Sequence, residues 1–324
     1  MNHTNLAECS RTMSTFVVVN PRSSNGRTGR EWRTLEPILS SIYPNMEVAF
    51  TRGRDHATAL VSAALRAGCL EVVAVGGDGT INEAVNGFFD SHGAVSPDAV
   101  FAFVTSGTGG DFKKAFGIIE NGAAAAARLA HTHLRSVDVG RATFLTRDGE
   151  ARTRYFANIG SFGLSGAIVD SVDRAHIAKL FGGPFAFAFH SALGLLGYRG
   201  RAVRLIVDDA FDEIVTISTV AVANGRAFGG GMLVAPNARP DDGLFDVVVV
   251  RHAPRRQMLA DMKLIYTGDH LDNPNVRVVR GRKVVAAPVE ETQGRPVLIE
   301  TDGEGIGCLP ATFEILPRAL NVRC

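Results

Sequence analysis

An apolar, β-branched run at Thr15–Asn20 (TFVVVN) opens an alternating pattern of buried strands and amphipathic helices. Continuous runs of this kind are typical of strands that are covered on both faces in a parallel sheet. The alternation continues to residue 105 and predicts an open, mostly parallel α/β sheet. The further elements predicted in this region are helices at Glu31–Ile42, His56–Ala67 and Ile81–Phe89 and strands at Glu47–Thr51, Glu71–Val75 and Ala99–Thr105.

The pattern changes after an alanine-rich helix predicted at Asn121–Ala130. Short strands, glycines and turns follow, interrupted by one helical stretch at Ser165–Tyr198. This predicts a second domain, an antiparallel β-sandwich, with the boundary near Asp138, so that the two domains span residues 12–138 and 139–307. The strands predicted for the second domain are Tyr155–Ile159, Val203–Val207, Thr216–Ala223, Leu244–Val250 and Val276–Arg280.

Composition narrows the function classes. The 324 residues carry a formal charge of +1 with acids and bases mixed along the chain, so no nucleic-acid partner is expected. Four scattered cysteines without a CxxC pair, and a polar first dozen residues, predict a cytoplasmic protein. The apolar stretch 180–200 nearly reaches the length of a membrane-spanning helix, but Pro184, His190 and its glycines favour a buried helix or a lipid-facing surface.

Three glycine-rich loops follow predicted strands of the first domain, where open α/β sheets bind ligands. They are GGDGT at 76–80, NPRSSNGRTGR at 20–30 and TSGTGGDFKK at 105–114. Glycines let backbone N–H groups approach an anion, and a following helix offers its positive N-terminus, although one such turn alone often serves packing. A carboxylate at Asp78 would repel a phosphate unless a metal or a transferable proton is present. Together the loops predict a phosphate-bearing ligand.

These segments carry a family resemblance. GGDGTINEAVNGF, SGTGGDF, NPRSSNGRTG, TRGRDHATAL at Thr51–Leu60 and TDGE at Thr301–Glu304 together resemble the diacylglycerol kinase catalytic domain of bacterial diacylglycerol kinases, sphingosine kinases and related lipid kinases. The resemblance implies a kinase that binds ATP between a domain similar to NAD kinase and phosphofructokinase and a β-sandwich. The positions that it implies for ATP binding are Asn20, Pro21, Arg22, Ser23, Ser24, Thr51, Gly76, Gly77, Asp78, Gly79, Thr80, Ile81, Asn82, Glu83, Ser106, Gly107, Thr108 and Lys114.

The same resemblance suggests catalytic roles. Asp78 is the candidate for a water-mediated Mg²⁺ contact, because Mg²⁺ prefers oxygen ligands and keeps several waters. Asp302 and Glu304 of TDGE share the role of the base that deprotonates the acceptor hydroxyl; a plain Asp-Gly turn is the alternative. Asp138 matches an acidic position near the active site of the family.

A structural Mg²⁺ site is implied at Asp242 with backbone oxygens of Arg239 and Leu244, where a common hairpin turn is the alternative. Two positions depart from the family pattern. Gly110 stands where an asparagine is common, and Lys114 replaces an arginine, so one side-chain amide and one bidentate fork are missing. These departures bear on the detailed contacts of the loop and on substrate choice.

The sequence thus predicts an ATP- and Mg²⁺-dependent kinase that phosphorylates the hydroxyl of diacylglycerol or a related lipid at the membrane surface, as a peripheral protein. An apolar slot for the lipid is predicted from the aromatic stretch 181–196, whose members are Phe181, Phe185, Phe187, Phe189, Leu193 and Leu196. By the resemblance, the last residues, 308–324, return to complete the first domain. A soluble kinase of the NAD-kinase type and a degenerate nucleotide-binding regulator remain alternatives, and a homodimer stays open.

Overall fold

The computed structural model describes residues 15–106, 110–174, 198–261, 263–289 and 296–324. Its helices are α1 (Ser23–Ile42), α2 (His56–Arg66), α3 (Asp78–Gly87), α4 (Asp111–Lys114), α5 (Gly122–Arg128), α6 (Leu164–Arg174) and α7 (Arg255–Asp261). Its strands are β1 (Thr15–Val19), β2 (Glu47–Phe50), β3 (Glu71–Gly76), β4 (Phe89–Asp90), β5 (Gly93–Ala94), β6 (Val100–Thr105), β7 (Leu134–Leu145), β8 (Ala151–Phe156), β9 (Ile159–Gly163), β10 (Arg201–Val207), β11 (Phe211–Ala223), β12 (Phe245–Arg251), β13 (Val276–Gly281), β14 (Lys283–Pro288), β15 (Leu298–Thr301) and β16 (Glu304–Arg323).

Four strands of the N-terminal part run parallel in the order β2-β1-β3-β6. Alternate residues of β1 enter different cores, which explains its continuous apolar run. Val17 and Val19 pack in the cluster that contains Leu35 of α1. Val18 packs in the cluster that contains Val61 of α2. Helices therefore cover both faces of this part, as parallel sheets require.

The C-terminal part does not form a separate sheet. Across the described residues, fourteen strands belong to one sheet, in which β16 pairs parallel with β6 and antiparallel with β7, β14 and β15. The predicted open, mostly parallel N-terminal sheet is therefore not confirmed as a separate unit, because β16 carries it on into antiparallel strands. The β-rich C-terminal part is confirmed, and its core contains the fully buried Phe156, Phe162, Phe245 and Phe313.

Strand β16 brings the end of the chain back to the first strands. Asn321 and Val322 lie beside Val100 and Phe101 of β6. The Arg323 guanidinium donates to both carboxylate oxygens of Glu71 at the start of β3, at 2.5 and 2.9 Å. A bidentate pair of this kind fixes direction as well as distance, so it fastens the last strand to the N-terminal part.

Several predicted elements differ from the structure. The predicted strand Tyr155–Ile159 is divided between β8 and β9, because the amides of residues 157–159 turn towards the Asp302 carboxylate instead of a neighbouring strand. Strand β7 runs through the predicted domain boundary at Asp138. Strands β7, β14, β15 and β16 were not predicted.

Within the described residues, no helix is both long and apolar enough to cross a membrane. The predicted lipid slot at 181–196 and most of the apolar stretch 180–200 lie outside the described residues, as do the predicted ATP-binding residues Gly107 and Thr108.

Candidate active site

The carboxyl ends of the four parallel strands meet at one edge of the sheet. The Asn20 N–H donates to Val75 O at 2.9 Å, and the Thr51 N–H donates to Val19 O at 2.8 Å. On the other side, the Ser106 N–H donates to Gly76 O at 3.2 Å. These bonds bring the three predicted loops, after β1, β3 and β6, side by side with the segment after β2, at the edge where open α/β sheets bind ligands.

The loop after β1 closes over this edge. Ser24 lies in the left-handed region with φ 51°, and its hydroxyl donates to Ser106 O of the neighbouring loop. The Ser23 hydroxyl donates to Asn20 O at 3.0 Å, whereas Arg22 is exposed. The predicted residues Asn20 to Ser24 therefore lie around the end of β3, with Asn20 and Ser23 half-buried and Arg22 and Ser24 exposed.

The GGDGT turn needs glycine at Gly76 for a steric reason. A Cβ on Gly76 would lie 2.5 Å from Thr80 Oγ1 and 2.7 Å from Thr80 Cβ. That threonine is held in place by Asn20, whose Nδ2 donates to the Thr80 hydroxyl oxygen at 3.0 Å. A Cβ on Gly77 would meet no atom within 4 Å. The two glycines thus have different roles, one in packing and one in leaving open space beside the N-terminus of α3.

This difference gives a testable pair. Gly76→Ala is expected to lower the free energy of unfolding by about 1–3 kcal/mol, the usual cost of forcing an extra methyl into a packed site. Gly77→Ala is expected to leave it unchanged within about 0.5 kcal/mol but to weaken ATP binding, because the methyl group would fill the open space beside the N-terminus of α3, where a phosphate is expected. Urea unfolding and calorimetric ATP titration measure the two effects. Equal stability losses in both variants would contradict this assignment.

Asp78 begins helix α3 directly behind these glycines. Its Oδ2 accepts the N–H groups of Gly110 and Asp111 at 3.0 and 3.4 Å. Its Oδ1 is buried without a hydrogen-bond partner in the described part of the chain. Burial, opposed by these amide contacts, raises the pKa of Asp78. The buried, unpaired Oδ1 of Asp78 lies near a second acid, Asp111. This pair fits a hydrated Mg²⁺, which keeps waters between itself and the protein.

Asp111 is a site residue that the sequence reasoning missed. Its Oδ2 accepts the Gly230 N–H at 2.7 Å and its Oδ1 accepts the Lys114 ammonium at 2.7 Å. Gly229, Gly230 and Gly231 all have positive φ, so this glycine hairpin can approach closely from the C-terminal part. The sequence did contain a signal for Asp111: it follows two glycines in TSGTGGDF, as Asp78 does in GGDGT. The Lys114 ammonium is thus already paired with a carboxylate.

The two carboxylates of TDGE lie in different surroundings. Asp302 has φ 50° and Gly303 φ 86°, so the segment is a tight Asp-Gly turn between β15 and β16. The Asp302 carboxylate accepts four hydrogen bonds: three from the backbone amides of residues 157–159 at 2.9–3.1 Å, and one from Asn82 Nδ2 at 3.0 Å. Burial raises the pKa of Asp302, and these donors oppose the rise. Its lone pairs are committed to holding the turn.

Glu304 faces the GGDGT loop instead. A Cβ on Gly79 would lie 3.1 Å from Glu304 Oε1. Its Oε2 lies 3.2 Å from Arg154 Nη2 and 3.8 Å from Arg54 Nη2. Burial raises the pKa of Glu304, and the two guanidinium groups oppose the rise. Unlike Asp302, Glu304 has one carboxylate oxygen turned towards the GGDGT loop. Of the two acids, Glu304 is therefore the better placed to accept a proton.

Three residues predicted to bind ATP have other contacts. Both oxygens of Glu83 accept amides at the N-terminus of α2, from Asp55 at 2.9 Å and Ala57 at 3.0 Å. Ile81 is buried in the core behind α3. Asn82 reaches Asp302 rather than the loop edge. These three side chains contact α2, the core and the TDGE turn, so they support the site from behind.

The catalytic prediction for Asp138 is not supported by its contacts. The side chain is fully buried, and its two oxygens accept the N–H groups of Arg318 at 2.8 Å and Gly243 at 2.7 Å. Burial raises the pKa of Asp138 despite these bonds. A carboxylate that is occupied on both oxygens holds two loops together, and its hydrogen bonds reach none of the glycine-loop residues in the part of the chain described.

The loop predicted to bind a structural Mg²⁺ is already neutralised by arginine. Asp242 Oδ2 pairs with Arg280, and its Oδ1 accepts the Leu244 N–H at 3.2 Å. Arg280 Nε also donates to Asp246 at 2.8 Å. Arg239 lies beside Asp241, with 3.8 Å between its Nε and Oδ1. No group of three or more acidic, histidine or cysteine side chains in the described residues forms a metal site.

A second buried acid supports the TDGE turn. Glu300 is fully buried, its Oε2 accepts the Gly303 N–H at 2.8 Å, and its Oε1 accepts the Ser161 hydroxyl. Burial raises the pKa of Glu300 to about 7, above the ordinary value of 4.5. Because the pKa in the folded protein exceeds that in the unfolded chain, this side chain favours folding most below pH 4.5 and loses that contribution as the pH rises through 7.

The neutral variant Glu300→Gln keeps the shape: its amide oxygen accepts the Gly303 N–H, and its amide NH2 donates to the Ser161 hydroxyl oxygen, which in turn donates to Ser165. It is expected to be more stable than the wild type above pH 7, by up to about 3 kcal/mol, and to approach the wild type near pH 5. Urea unfolding at a series of pH values measures the difference. The exposed Glu150, changed to glutamine, is the control and is expected to show no such trend. A parallel trend in both variants would remove Glu300 as its source.

The comparisons with known proteins agree with this geometry. The diacylglycerol kinase catalytic domain matches residues 14–142, and the YegS C-terminal NAD kinase beta sandwich-like domain matches residues 158–324. A probable lipid kinase YegS-like of Chromohalobacter salexigens is 30% identical over 84% of this chain and 80% of its own length. A diacylglycerol kinase of Mycobacterium tuberculosis is 26% identical over 81% of this chain and 79% of its own.

A solved structure has the same fold. The crystal structure of a putative diacylglycerol kinase from Bacillus anthracis superimposes with a TM-score of 0.74 at 22% identity, and the alignment covers 96% of this chain and 97% of that one. The two domain models match the two halves of the chain, and a relative at 30% identity covers 84% of its length. The chain therefore belongs to the diacylglycerol kinase family, whose members are phosphotransferases with an alcohol group as acceptor.

Proposed function

We propose that this protein transfers the γ-phosphoryl group of ATP to the hydroxyl of diacylglycerol or a related lipid. The observation that carries the proposal is the approach of Glu304 to the GGDGT loop, 3.1 Å from where a Gly79 Cβ would lie. A carboxylate therefore stands beside a glycine-rich loop at a helix N-terminus, which is where phosphates bind. This is the arrangement that phosphoryl transfer needs, since its catalysis depends on positioning and charge neutralisation.

ATP would lie along the strand-end edge. The open space at Gly77 and the N-terminus of α3 suit its phosphates, and the loop from Asn20 to Ser24 would enclose them. When bound with the nucleotide, Mg²⁺ supplies neutralisation of charge on the phosphoryl oxygens. Asp78, with its free Oδ1 and the neighbouring Asp111, would hold it through water. The predicted ATP-binding role of Lys114 would require its ammonium to leave Asp111.

Glu304 is the residue that we assign as the base. It would accept the proton of the acceptor hydroxyl while the hydroxyl oxygen forms a bond to the γ-phosphorus. The bond from the γ-phosphorus to the bridging oxygen breaks at the same time, and ADP leaves with the electron pair. Asp302 has four donors on its carboxylate and would instead keep the turn in register.

The proposal is tested by incubating the purified protein with γ-labelled ATP, Mg²⁺ and a total bacterial lipid extract in mixed micelles. The organic phase is then separated and labelled species are identified by mass. A labelled lipid would establish the activity and name the acceptor. Label only in a water-soluble product would favour a kinase of the NAD-kinase type. No label anywhere, with ATP still bound, would identify a regulator that has lost catalysis.

A further inference from the structure

One arginine connects the candidate base to both nucleotide-side helices. Arg154 lies on β8 of the C-terminal part, with a side chain only 17% exposed. Its Nη2 lies 3.2 Å from Glu304 Oε2 and 3.2 Å from Asn82 Oδ1 of α3. Its Nη1 lies 3.0 Å from the carboxylate of Asp55, which precedes α2. Three segments far apart in sequence therefore meet at one guanidinium.

We propose that Arg154 is a positioning residue, which aims the Glu304 carboxylate at the GGDGT loop and keeps it ionised for its work as a base. The proposal rests on the proposed function, because it assigns Arg154 a role in that reaction. A planar guanidinium with several fixed donors can hold a carboxylate in one orientation while it binds other groups, which a flexible ammonium does less well. Arg154 itself would touch neither ATP nor the acceptor.

The charges around Glu304 make this role necessary. Burial favours the protonated carboxyl, and the nearby acids Glu83 and Asp55 add to that effect. The guanidinium groups of Arg154 and Arg54 oppose the effect. Arg54 is 62% exposed and lies at 3.8 Å, where solvent screens its charge, so Arg154 is the main counter-charge. Without it, Glu304 would stay protonated up to a higher pH and could not accept a proton below that pH.

The test compares pH profiles of lipid phosphorylation in the full-length protein. Arg154→Gln is expected to move the acid limb of kcat upward by about one pH unit, because an opposite charge at this distance lowers the pKa of a carboxyl by at least that much. At pH values below the acid limb of the wild type its kcat would fall about ten-fold, and above its own acid limb it would return to within about three-fold of the wild type. The KM for ATP is expected to change by less than about two-fold, since uniform ATP binding is not lost.

Three further variants bracket the effect. Arg154→Lys restores the charge and is expected to move the acid limb less than half as far. Arg54→Gln is expected to move it less than Arg154→Gln does. Arg152→Gln is the matched control, because Arg152 lies on the same strand but pairs with Glu150 at the surface, both 65% exposed. It is expected to leave the profile unchanged.

Two outcomes separate this proposal from the one that it rests on. If Arg154→Gln lowers kcat by the same factor at every pH, or acts only through KM or thermal stability, then Arg154 has a structural role and the present proposal fails while the lipid kinase stands. If the wild type labels no lipid, or Glu304→Gln keeps full activity, then the proposed function fails first. Thermal unfolding of each variant, measured alongside, shows that the compared proteins are folded.

Discussion

Asp78→Asn is expected to abolish phosphoryl transfer, with a fall in kcat of about 10³-fold or more, while the protein stays folded. Asparagine keeps one oxygen for the amides of Gly110 and Asp111 but removes the negative charge at the free oxygen. In the proposed function that charge would hold a hydrated Mg²⁺, and the loss of one electrostatic contact in a preorganised site commonly costs two to three orders of magnitude in rate. The labelled-ATP assay measures the fall.

The stability of the Asp78→Asn variant distinguishes a role in catalysis from a role in the fold. Burial raises the pKa of Asp78, so the ionised side chain is costly to bury, and the neutral asparagine is expected to be as stable as the wild type or slightly more so. Asp98→Asn, at an exposed position, is the control for removal of one acid. A variant that keeps more than about a tenth of the wild-type kcat would remove Asp78 from the mechanism, whereas a variant that unfolds would assign it to the fold.

The parallel strands could be predicted from the sequence because their buried apolar residues follow one another directly along the chain. The strand predicted at Glu71–Val75 ends within one residue of β3, since every residue after the first is buried and apolar. Strand β16 could not be found in this way. Its buried residues alternate mostly with half-buried ones, and Pro310 and Pro317 interrupt the run. It forms a strand because it pairs with β7, β14 and β6, and these neighbours are distant in the sequence, so the local pattern of residues does not reveal them.

The candidate site likewise combines features that the sequence predicts with features that only the fold determines. Glycines at strand ends mark the phosphate side, because the backbone needs them there whatever lies opposite. Which carboxylate is free depends instead on distant donors: the amides at 157–159 reach Asp302 across more than 140 residues, and Arg154 reaches Glu304 across 150. The sequence therefore predicts a pair of acids, and only the fold distinguishes the one that holds the turn from the one that faces the loop.

Glu304→Gln is expected to lose activity but little stability, whereas Asp302→Ala is expected to lose stability. Glutamine at 304 keeps the size and the contact with Arg154 but cannot take a proton, so kcat is expected to fall by about 10²- to 10⁴-fold with little change in unfolding. Alanine at 302 leaves three buried backbone amides and Asn82 without their acceptor. Because unsatisfied buried donors are costly, the free energy of unfolding is expected to fall by about 3 kcal/mol or more.

Measuring kcat and urea unfolding on the same preparations separates the two roles. Asp302→Asn is the milder companion, since its one amide oxygen keeps two of the four contacts, and it is expected to lose less stability than Asp302→Ala. If Asp302→Asn were fully stable but inactive while Glu304→Gln remained active, the base would be Asp302, and the turn would be held by its backbone alone. The four donors on Asp302 argue against that result, because a carboxylate must give up a hydrogen bond before it can accept a proton from the lipid hydroxyl.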